Sequence, residues 1–120
     1  MQNISPGSAP SQILSIQGVP VVTVVGRLDT ATAPAFDAQI AALLEEKHKR
    51  VLLDVSRLVY LSSLGLRSIL KIIKSTAQNG GRTGIFSVPP QVMELIEISG
   101  FQSLLDIYPD RESALTASRM

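Results

Sequence analysis

Residues 52–67, Leu-Leu-Asp-Val-Ser-Arg-Leu-Val-Tyr-Leu-Ser-Ser-Leu-Gly-Leu-Arg, decide the fold of this chain. The almost uninterrupted aliphatic run from Val51 to Val55 predicts a strand that is covered on both faces and lies at the centre of a sheet. The paired serines Ser62 and Ser63 then form a turn that opens a helix. The first amides of a helix have no intrahelical partner, and the helix dipole places about half a positive charge there. A phosphate on either serine hydroxyl would therefore be stabilised at this turn.

The helix after Ser63 is predicted to be amphipathic. Its apolar residues recur at intervals of three and four, and the face expected to be buried comprises Leu66, Ile69, Leu70, Ile73 and Ala77. The opposite stripe comprises Arg67, Lys71, Lys74 and Gln78. A basic face thus begins one turn from Ser63. Asn79-Gly80-Gly81 is expected to end the helix, because these residue types tolerate left-handed backbone geometry.

Shorter patterns place the remaining elements. Strands are predicted at 13–16 and 20–25, with a tight turn at Gly18 between them, and further strands at 85–88 and 104–108. One helix is expected to start at the cap Thr32 and to fade within 45–50; another runs from Pro89-Pro90 to Gly100, and a last one from the cap Asp110 through 117. Strands that alternate with helices imply a largely parallel sheet with helices packed against it.

Length and composition restrict the class of protein. A chain of 120 residues with 45% hydrophobic content predicts one domain with a modest core, and the polar, turn-rich residues 1–12 predict a flexible tail before a domain at 13–120. The absence of cysteine excludes disulfides, thiolate metal sites and a cysteine nucleophile. With no apolar run of about 18 residues and no signal-peptide pattern, we expect a cytoplasmic protein without membrane insertion. A net charge of +1 argues against direct nucleic-acid binding as the main task.

Catalytic chemistry finds no support in the sequence. His48 has no serine or second histidine at ligand spacing. The glycine-rich segment 80–84 lacks the lysine and hydroxyl residue of a phosphate loop and precedes a strand. The ten carboxylates are scattered along the sequence, and no two of them form a pair suited to general acid–base catalysis. We predict a protein that is not an enzyme and has no metal or cofactor.

Each candidate side chain also has an ordinary structural explanation. A serine before a helix is commonly an N-cap worth about 1 kcal/mol, and an aspartate such as Asp29 before Thr30 commonly caps a turn. Gly65 can serve close packing of the helix start on the sheet. The stripe of Arg67 and its neighbours can be a solvated helix face or a docking surface for an acidic partner.

The turn at Ser62-Ser63 resembles the motif of the STAS domain family, whose single-domain members are the bacterial anti-sigma factor antagonists. The usual forms in that family are Asp-Ser-Ser-Gly-Leu-Gly and Ser-Ser-Ala-Gly-Leu-Arg. The resemblance covers nearly the whole chain after the first dozen residues, and the other matching segments are 26–33, 53–56, Gly80-Gly81 before 85–88, and 96–101. Two residues depart from the pattern: Ser62 replaces the commoner acid, and Leu64 replaces a small residue.

The resemblance implies an α/β fold, a STAS-like single domain with a mostly parallel or mixed central sheet of four to five strands and helices packed against it. It implies that Ser63 is the phosphoacceptor and that Asp29 lies close to the phosphoacceptor loop. Together with the position of the basic stripe beside Ser63, it predicts a partner-binding surface. That surface comprises Asp29, Thr30, Ser62, Ser63, Leu64, Gly65, Arg67 and Lys71.

The function that the resemblance implies is that of an anti-sigma factor antagonist in a partner-switching pathway. The unmodified protein would bind an anti-sigma factor, itself a serine kinase, and so release a sigma factor. Phosphorylation of Ser63 would end that binding, and a PP2C-type phosphatase would restore it. Two alternatives remain: a constitutive accessory subunit, for instance of a transporter, in which Ser63 only caps its helix, and a scaffold or small-molecule sensor in a larger signalling complex.

Overall fold

The structure, a computed structural model, describes residues 11–119 and contains one mixed sheet. Its strands are β1 (Gln12–Ile16), β2 (Val19–Leu28), β3 (Arg50–Leu61), β4 (Arg82–Phe86) and β5 (Leu105–Tyr108). They lie side by side in chain order, with β1 antiparallel to β2 and all later neighbours parallel. The predicted α/β fold with a mostly parallel sheet is confirmed.

Four α-helices connect or follow the strands. They are α1 (Ala33–Glu45), α2 (Ser63–Gln78), α3 (Pro90–Ser99) and α4 (Arg111–Ser118), and a short 3-10 turn covers Phe101–Leu104. The helices α1, α2 and α3 are the crossovers between successive parallel strands. The carboxyl ends of β2 and β3 therefore meet at one edge of the sheet, where the loops to α1 and α2 begin.

The two faces of the sheet are covered unequally. On one face, buried side chains of α1, α2 and α3, such as Phe36, Ile69 and Val92, form a single cluster with Val24 and Leu53 of the strands. On the other face, Ala114 and Leu115 of α4 pack against Leu52 and Phe86. Within residues 11–119, a single short helix thus covers the second face, and the carboxyl end of the β2–β3 pair extends beyond β4.

The helix boundaries largely follow the predictions. Ser62 precedes α2, Gly100 takes a left-handed conformation (φ 81°) after α3, and Asp110 caps α4 by accepting a hydrogen bond from the Ser113 amide at 2.8 Å. Thr32 occupies the predicted N-cap position of α1. Its side chain makes no cap hydrogen bond, because the hydroxyl donates to the Arg27 carbonyl at 2.9 Å.

The buried face of α2 differs from the prediction at its end. Ala77 is exposed, whereas Ile72 and Thr76 are buried. The Thr76 hydroxyl hydrogen-bonds to Thr83 of β4 at 2.8 Å and donates to the Ile73 carbonyl. A threonine can therefore occupy a core position that apolar periodicity assigns to its alanine neighbour.

Strand boundaries differ more. The strand predicted at 85–88 begins earlier, at Arg82, and ends at Phe86, because Ser87 has a positive φ of 56°. The central strand runs past Val55 to Leu61. The predicted tail 1–12 falls on residues outside the described range, except for Ser11 and Gln12, and Gln12 is the first residue of β1. The extent of the domain, 13–120, stays a prediction.

The carboxyl half of β3 is irregular. It pairs with β4 only up to Asp54, which is opposite Phe86, and beyond that point its pairing among the described residues is with β2 alone. Its register against β2 shifts twice, so that Val59 has no opposite residue. Asp54 stabilises the first shift, because its carboxylate accepts hydrogen bonds from the Ser56 amide at 3.0 Å and the Ser56 hydroxyl at 2.8 Å. Such bulges redirect side chains and end pairing, here just before the Ser62-Ser63 turn.

Candidate functional site

The turn between β3 and α2 separates the roles of its two serines. Ser62 is the N-cap, with extended backbone geometry, and its hydroxyl accepts a hydrogen bond from the Gly65 amide at 3.2 Å. Ser63 is the first residue of α2 and is exposed, and its hydroxyl makes no hydrogen bond within residues 11–119. Because the Ser62 hydroxyl already caps α2, the Ser63 hydroxyl is available for covalent modification. Capping by Ser62 also explains why this position tolerates serine in place of an acid.

Gly65 fixes the turn against the end of β2. A Cβ at Gly65 would lie 2.2 Å from the carbonyl oxygen of Leu28, which is far inside any permitted contact. The same oxygen accepts a hydrogen bond from the Ser62 amide at 3.0 Å. The packing explanation for Gly65 is therefore supported, and it places the start of α2 directly beside the loop after β2.

That loop carries Asp29 and Thr30. Asp29 follows Leu28, which is opposite Leu61 in the parallel register, so the Asp29 and Ser62-Ser63 segments leave the sheet at the same edge. The Asp29 carboxylate accepts hydrogen bonds from the amides of Ala31 at 3.0 Å and Thr32 at 3.2 Å. Asp29 thus caps its own turn. Thr30 is exposed at the tip of this turn.

The charge of Asp29 is balanced locally. Its second carboxylate oxygen pairs with the Arg27 guanidinium at 3.0 Å. Partial desolvation acts to raise the pKa of Asp29, but the hydrogen bonds from Arg27 and from the Thr32 and Ala31 amides outweigh it and hold this pKa below its ordinary value. Asp29 is therefore ionised at neutral pH, and its negative charge is shared with Arg27.

The basic residues of α2 are not equivalent. Arg67 lies one turn after Ser63, is exposed, and makes no ion pair within the described part of the chain. Lys71 lies two turns after Ser63 and pairs with Asp37 of α1 at 2.8 Å. The positive charge of Lys71 is thus largely cancelled. Arg67 is therefore the residue of the predicted stripe whose charge can interact with a group on Ser63. Leu64, on the same turn, is half-buried.

Two residues near the turn were missed from the sequence. The Arg27 guanidinium lies over the Tyr60 ring, 4.2 Å from its centroid, and Val59 beside it is 60% exposed. Val59 and Tyr60 belong to the part of β3 beyond Val55, where the sequence prediction ended the strand, whereas Arg27 lies in β2. The run Leu58-Val59-Tyr60-Leu61 was the signal in the sequence for exposed apolar side chains here. Four consecutive large apolar residues cannot all face the core of one bulged strand.

The site has no metal-ligand geometry. Within residues 11–119, no group of three or more His, Cys, Asp or Glu side chains could hold a metal ion. His48 contacts Glu46 at 2.7 Å, far along the chain from the serine turn. Nor does any helix of this part of the chain combine the length and apolar character needed to cross a membrane.

Comparison with known proteins agrees with this geometry. The family model described as the STAS domain matches residues 11–114, which is most of the chain. The chain belongs to the STAS domain family. The serine turn, the Asp29 loop and the five-stranded sheet are therefore the parts of a STAS domain.

Similar STAS proteins carry regulatory names. BtrV of Bordetella bronchiseptica, whose name provisionally assigns it as an anti-sigma factor antagonist, is 36% identical over 102 residues, covering 85% of this chain and 88% of BtrV. The anti-sigma F factor antagonist of Paenibacillus polymyxa is 30% identical over 101 residues, covering 83% of this chain and 86% of that protein. The crystal structure of an anti-sigma factor antagonist from Mycobacterium paratuberculosis superposes with a TM-score of 0.86 at 28% identity, covering 97% of this chain and 98% of the other.

Proposed function

We propose that this STAS domain is an anti-sigma factor antagonist that is switched off by phosphorylation of Ser63. In its unmodified form it binds an anti-sigma factor that is also a serine kinase, and so releases a sigma factor. A PP2C-type phosphatase restores binding. The protein acts by binding, with no reaction of its own and no direct contact with nucleic acid, in the cytoplasm.

The observation that supports this proposal most strongly is that the two serines have different roles. The Ser62 hydroxyl caps α2, whereas the exposed Ser63 hydroxyl makes no hydrogen bond within residues 11–119 and stabilises nothing there. A kinase can therefore reach and modify it without removing a helix cap. The names of the relatives support the regulatory class, and the common edge shared by Asp29, Thr30 and the serine turn supplies a continuous surface for a partner.

A phosphate at Ser63 would change the charge of this surface. Asp29 and Arg27 neutralise each other, as do Asp37 and Lys71, so that Arg67 leaves one cation in excess. A phosphoserine adds about −1.5 to −2 charges and three strong acceptor oxygens. The sign of the surface is thereby reversed. Since a tenfold change in affinity needs only about 1.4 kcal/mol, this change acts as a switch without refolding the domain.

The test is a binding titration with each kinase-type anti-sigma factor of the source organism, produced in turn. We expect one of them to bind the wild-type protein and Ser63→Ala with similar affinity and to bind Ser63→Asp at least tenfold more weakly. With ATP, mass spectrometry should find one phosphoryl group on the wild-type protein and none on Ser63→Ala. Ser62→Ala is the matched control, because it loses the neighbouring hydroxyl but keeps the phosphoacceptor.

Equal binding of Ser63→Ala and Ser63→Asp, with no phosphoryl group on the wild-type protein, would reject the switch. That result would favour a constitutive accessory subunit, whether of a transporter or of a signalling complex. Phosphorylation at Ser62 in place of Ser63 would also contradict the assignment, because the modified hydroxyl would then be the one that caps α2.

A further inference from the structure

We propose that the groove between the carboxyl end of β3 and α3 binds an extended, apolar segment of the anti-sigma partner as an additional β-strand. This inference rests on the proposed function and adds a second contact area to the surface around Ser63. Its occupant is a strand with at least one apolar side chain and a basic residue.

The groove has an apolar floor. It has a volume of about 280 Å³ and is lined by Val59, Tyr60 and Leu61 of β3 and by Val92, Leu95 and Ile98 of α3. Val59 and Ile98 are unusually solvent-exposed for aliphatic residues, with 60% and 77% of their surfaces exposed. Apolar side chains of a partner chain suit this lining.

The strand beside the groove has an unpaired edge. β4 pairs with β3 only as far as Asp54, and in the remainder of β3 the residues Arg57, Leu58, Tyr60 and Leu61 pair with β2 on the other side. Along the α3 side of 55–61, the described residues supply no backbone hydrogen-bond partner. Amides and carbonyls at a strand edge bind another extended chain, and neighbouring pockets then select its alternate side chains. The edge thus specifies the conformation of the occupant, and the groove specifies its apolar character.

Charge and position identify the chain that supplies this strand. Glu94 lines the groove and makes no ion pair within residues 11–119, so a basic residue on the occupant is favoured. Leu61, at one end of the groove, is followed directly by Ser62 and Ser63. A partner bound at the phosphoacceptor turn therefore reaches the groove without leaving the surface. This continuity favours the anti-sigma partner over an unrelated protein.

Substitutions at exposed apolar positions test the inference. The anti-sigma factor that binds in the titration above is the probe, and Ile98→Lys places a charge over the groove floor. We expect Ile98→Lys to weaken binding at least tenfold. The matched control is Leu104→Lys, since Leu104 is also an exposed aliphatic residue, at 44%, but lies outside the groove. It should bind within twofold of wild type.

Amide hydrogen exchange gives a second readout that does not depend on a substitution. In the complex, exchange of the amides in 57–61 should slow, as it does when a strand gains a partner. Unchanged exchange at these amides, or equal affinities of Ile98→Lys and wild type, would overturn the groove proposal. Equal losses in Ile98→Lys and Leu104→Lys would also overturn it, because a general effect of added charge would then explain both.

The outcomes also separate this proposal from the proposed function. If Ser63→Asp fails to bind while Ile98→Lys binds like wild type, the switch stands and the groove is rejected. If the wild-type protein binds none of the anti-sigma factors, both proposals are rejected. Loss of binding in Ser63→Asp and Ile98→Lys, with normal binding in Leu104→Lys, supports both.

Discussion

The backbone of Gly65 faces the carbonyl oxygen of Leu28 so closely that a side chain of even one carbon would lie 2.2 Å from that oxygen. The first turn of α2 and the last residue of β2 are thus in direct contact, with no side chain between them. Through this contact the serine turn and the Asp29 loop hold a fixed relation to each other. The geometry of the candidate site therefore depends on a glycine.

Gly65→Ala should destabilise the protein. An alanine within a helix is ordinarily favoured over glycine by about 1 kcal/mol, so helix propensity alone predicts stabilisation. The clash with Leu28 involves backbone and requires a shift of α2, which costs about 1–3 kcal/mol or more. Urea unfolding should therefore give a lower free energy of unfolding for the variant. A stabilised variant would show that the contact is looser than described.

A second glycine provides the control for this experiment. Gly100 has open space around its Cα but a positive φ of 81°, so Gly100→Ala carries only the cost of left-handed geometry, about 1 kcal/mol. We expect Gly100→Ala to keep the amide exchange pattern of the serine turn. Gly65→Ala should speed exchange at the Ser62 amide, because its hydrogen bond to Leu28 is displaced.

Ser62→Ala and Ser63→Ala should differ in stability. Removal of the Ser62 hydroxyl leaves the Gly65 amide without its cap, at a cost of about 0.5–2 kcal/mol. Ser63→Ala removes an exposed hydroxyl that has no partner in the described residues, so its effect should stay within about 0.5 kcal/mol. Urea unfolding of the two variants and wild type makes the comparison. Equal losses would mean that both hydroxyls share the cap.

Asp29→Asn should reduce stability in a pH-dependent manner. Because the folded-state pKa of Asp29 is lowered, its carboxylate stabilises the fold above the ordinary value of 3.8, and this contribution is lost as the pH falls through the lowered value. Asparagine keeps an oxygen for the amides but loses the charge that pairs with Arg27. The variant should be less stable than wild type at about pH 6 and should approach it as the pH falls through the lowered pKa of Asp29.

Unfolding of both proteins over a series of pH values from about 6 downward tests the Asp29 prediction. The pKa of Asp106 and that of Asp110 are also lowered, but both groups titrate in wild type and variant alike and cancel in the difference. A difference in stability that stays constant over this pH series would show that the Asp29 charge has no part in it.

Arg67 should lower the pKa of a phosphate on Ser63. The two residues are four apart in α2, so their side chains are neighbours on the helix surface, and such charge pairs contribute about 0.2–0.5 kcal/mol. With phosphoserine installed at position 63, Arg67→Gln should raise the second phosphate pKa by about 0.2–0.4, as followed by phosphorus NMR. Lys74→Gln removes the same charge about 16 Å along the axis and should leave the pKa unchanged.

Much of the fold could be predicted because its signals are local. The aliphatic run at β3, the serine turn, and Gly100 and Asp110 at helix ends each depend on a few neighbouring residues. The serine turn and the Asp29 loop meet because parallel strands place their carboxyl ends together, which the alternation of strands and helices already implied.

The missed features depend on contacts between distant parts of the chain. Thr76 is buried because Thr83, on another strand, satisfies its hydroxyl. The apolar run 58–61 indicates that β3 continues beyond Val55, but the positions of its bulges are set by its pairing with β2 and are not visible in that run. Lys71 belongs to a basic stripe in the sequence, but Asp37 on a separate helix cancels its charge. Periodicity within one element carries no information on such partners.

The side-by-side order of the strands has a consequence for synthesis of the chain. Each new strand pairs with the one made just before it, so no segment must wait for a distant partner to emerge from the ribosome. The last helix, α4, is the exception, because it covers Leu52 and Phe86 and its Arg111 pairs with Asp54 at 3.2 Å. The nascent chain can thus assemble its sheet strand by strand in the order of translation, and α4 covers the second face of the sheet last. The domain can therefore fold from its first strand towards its last helix.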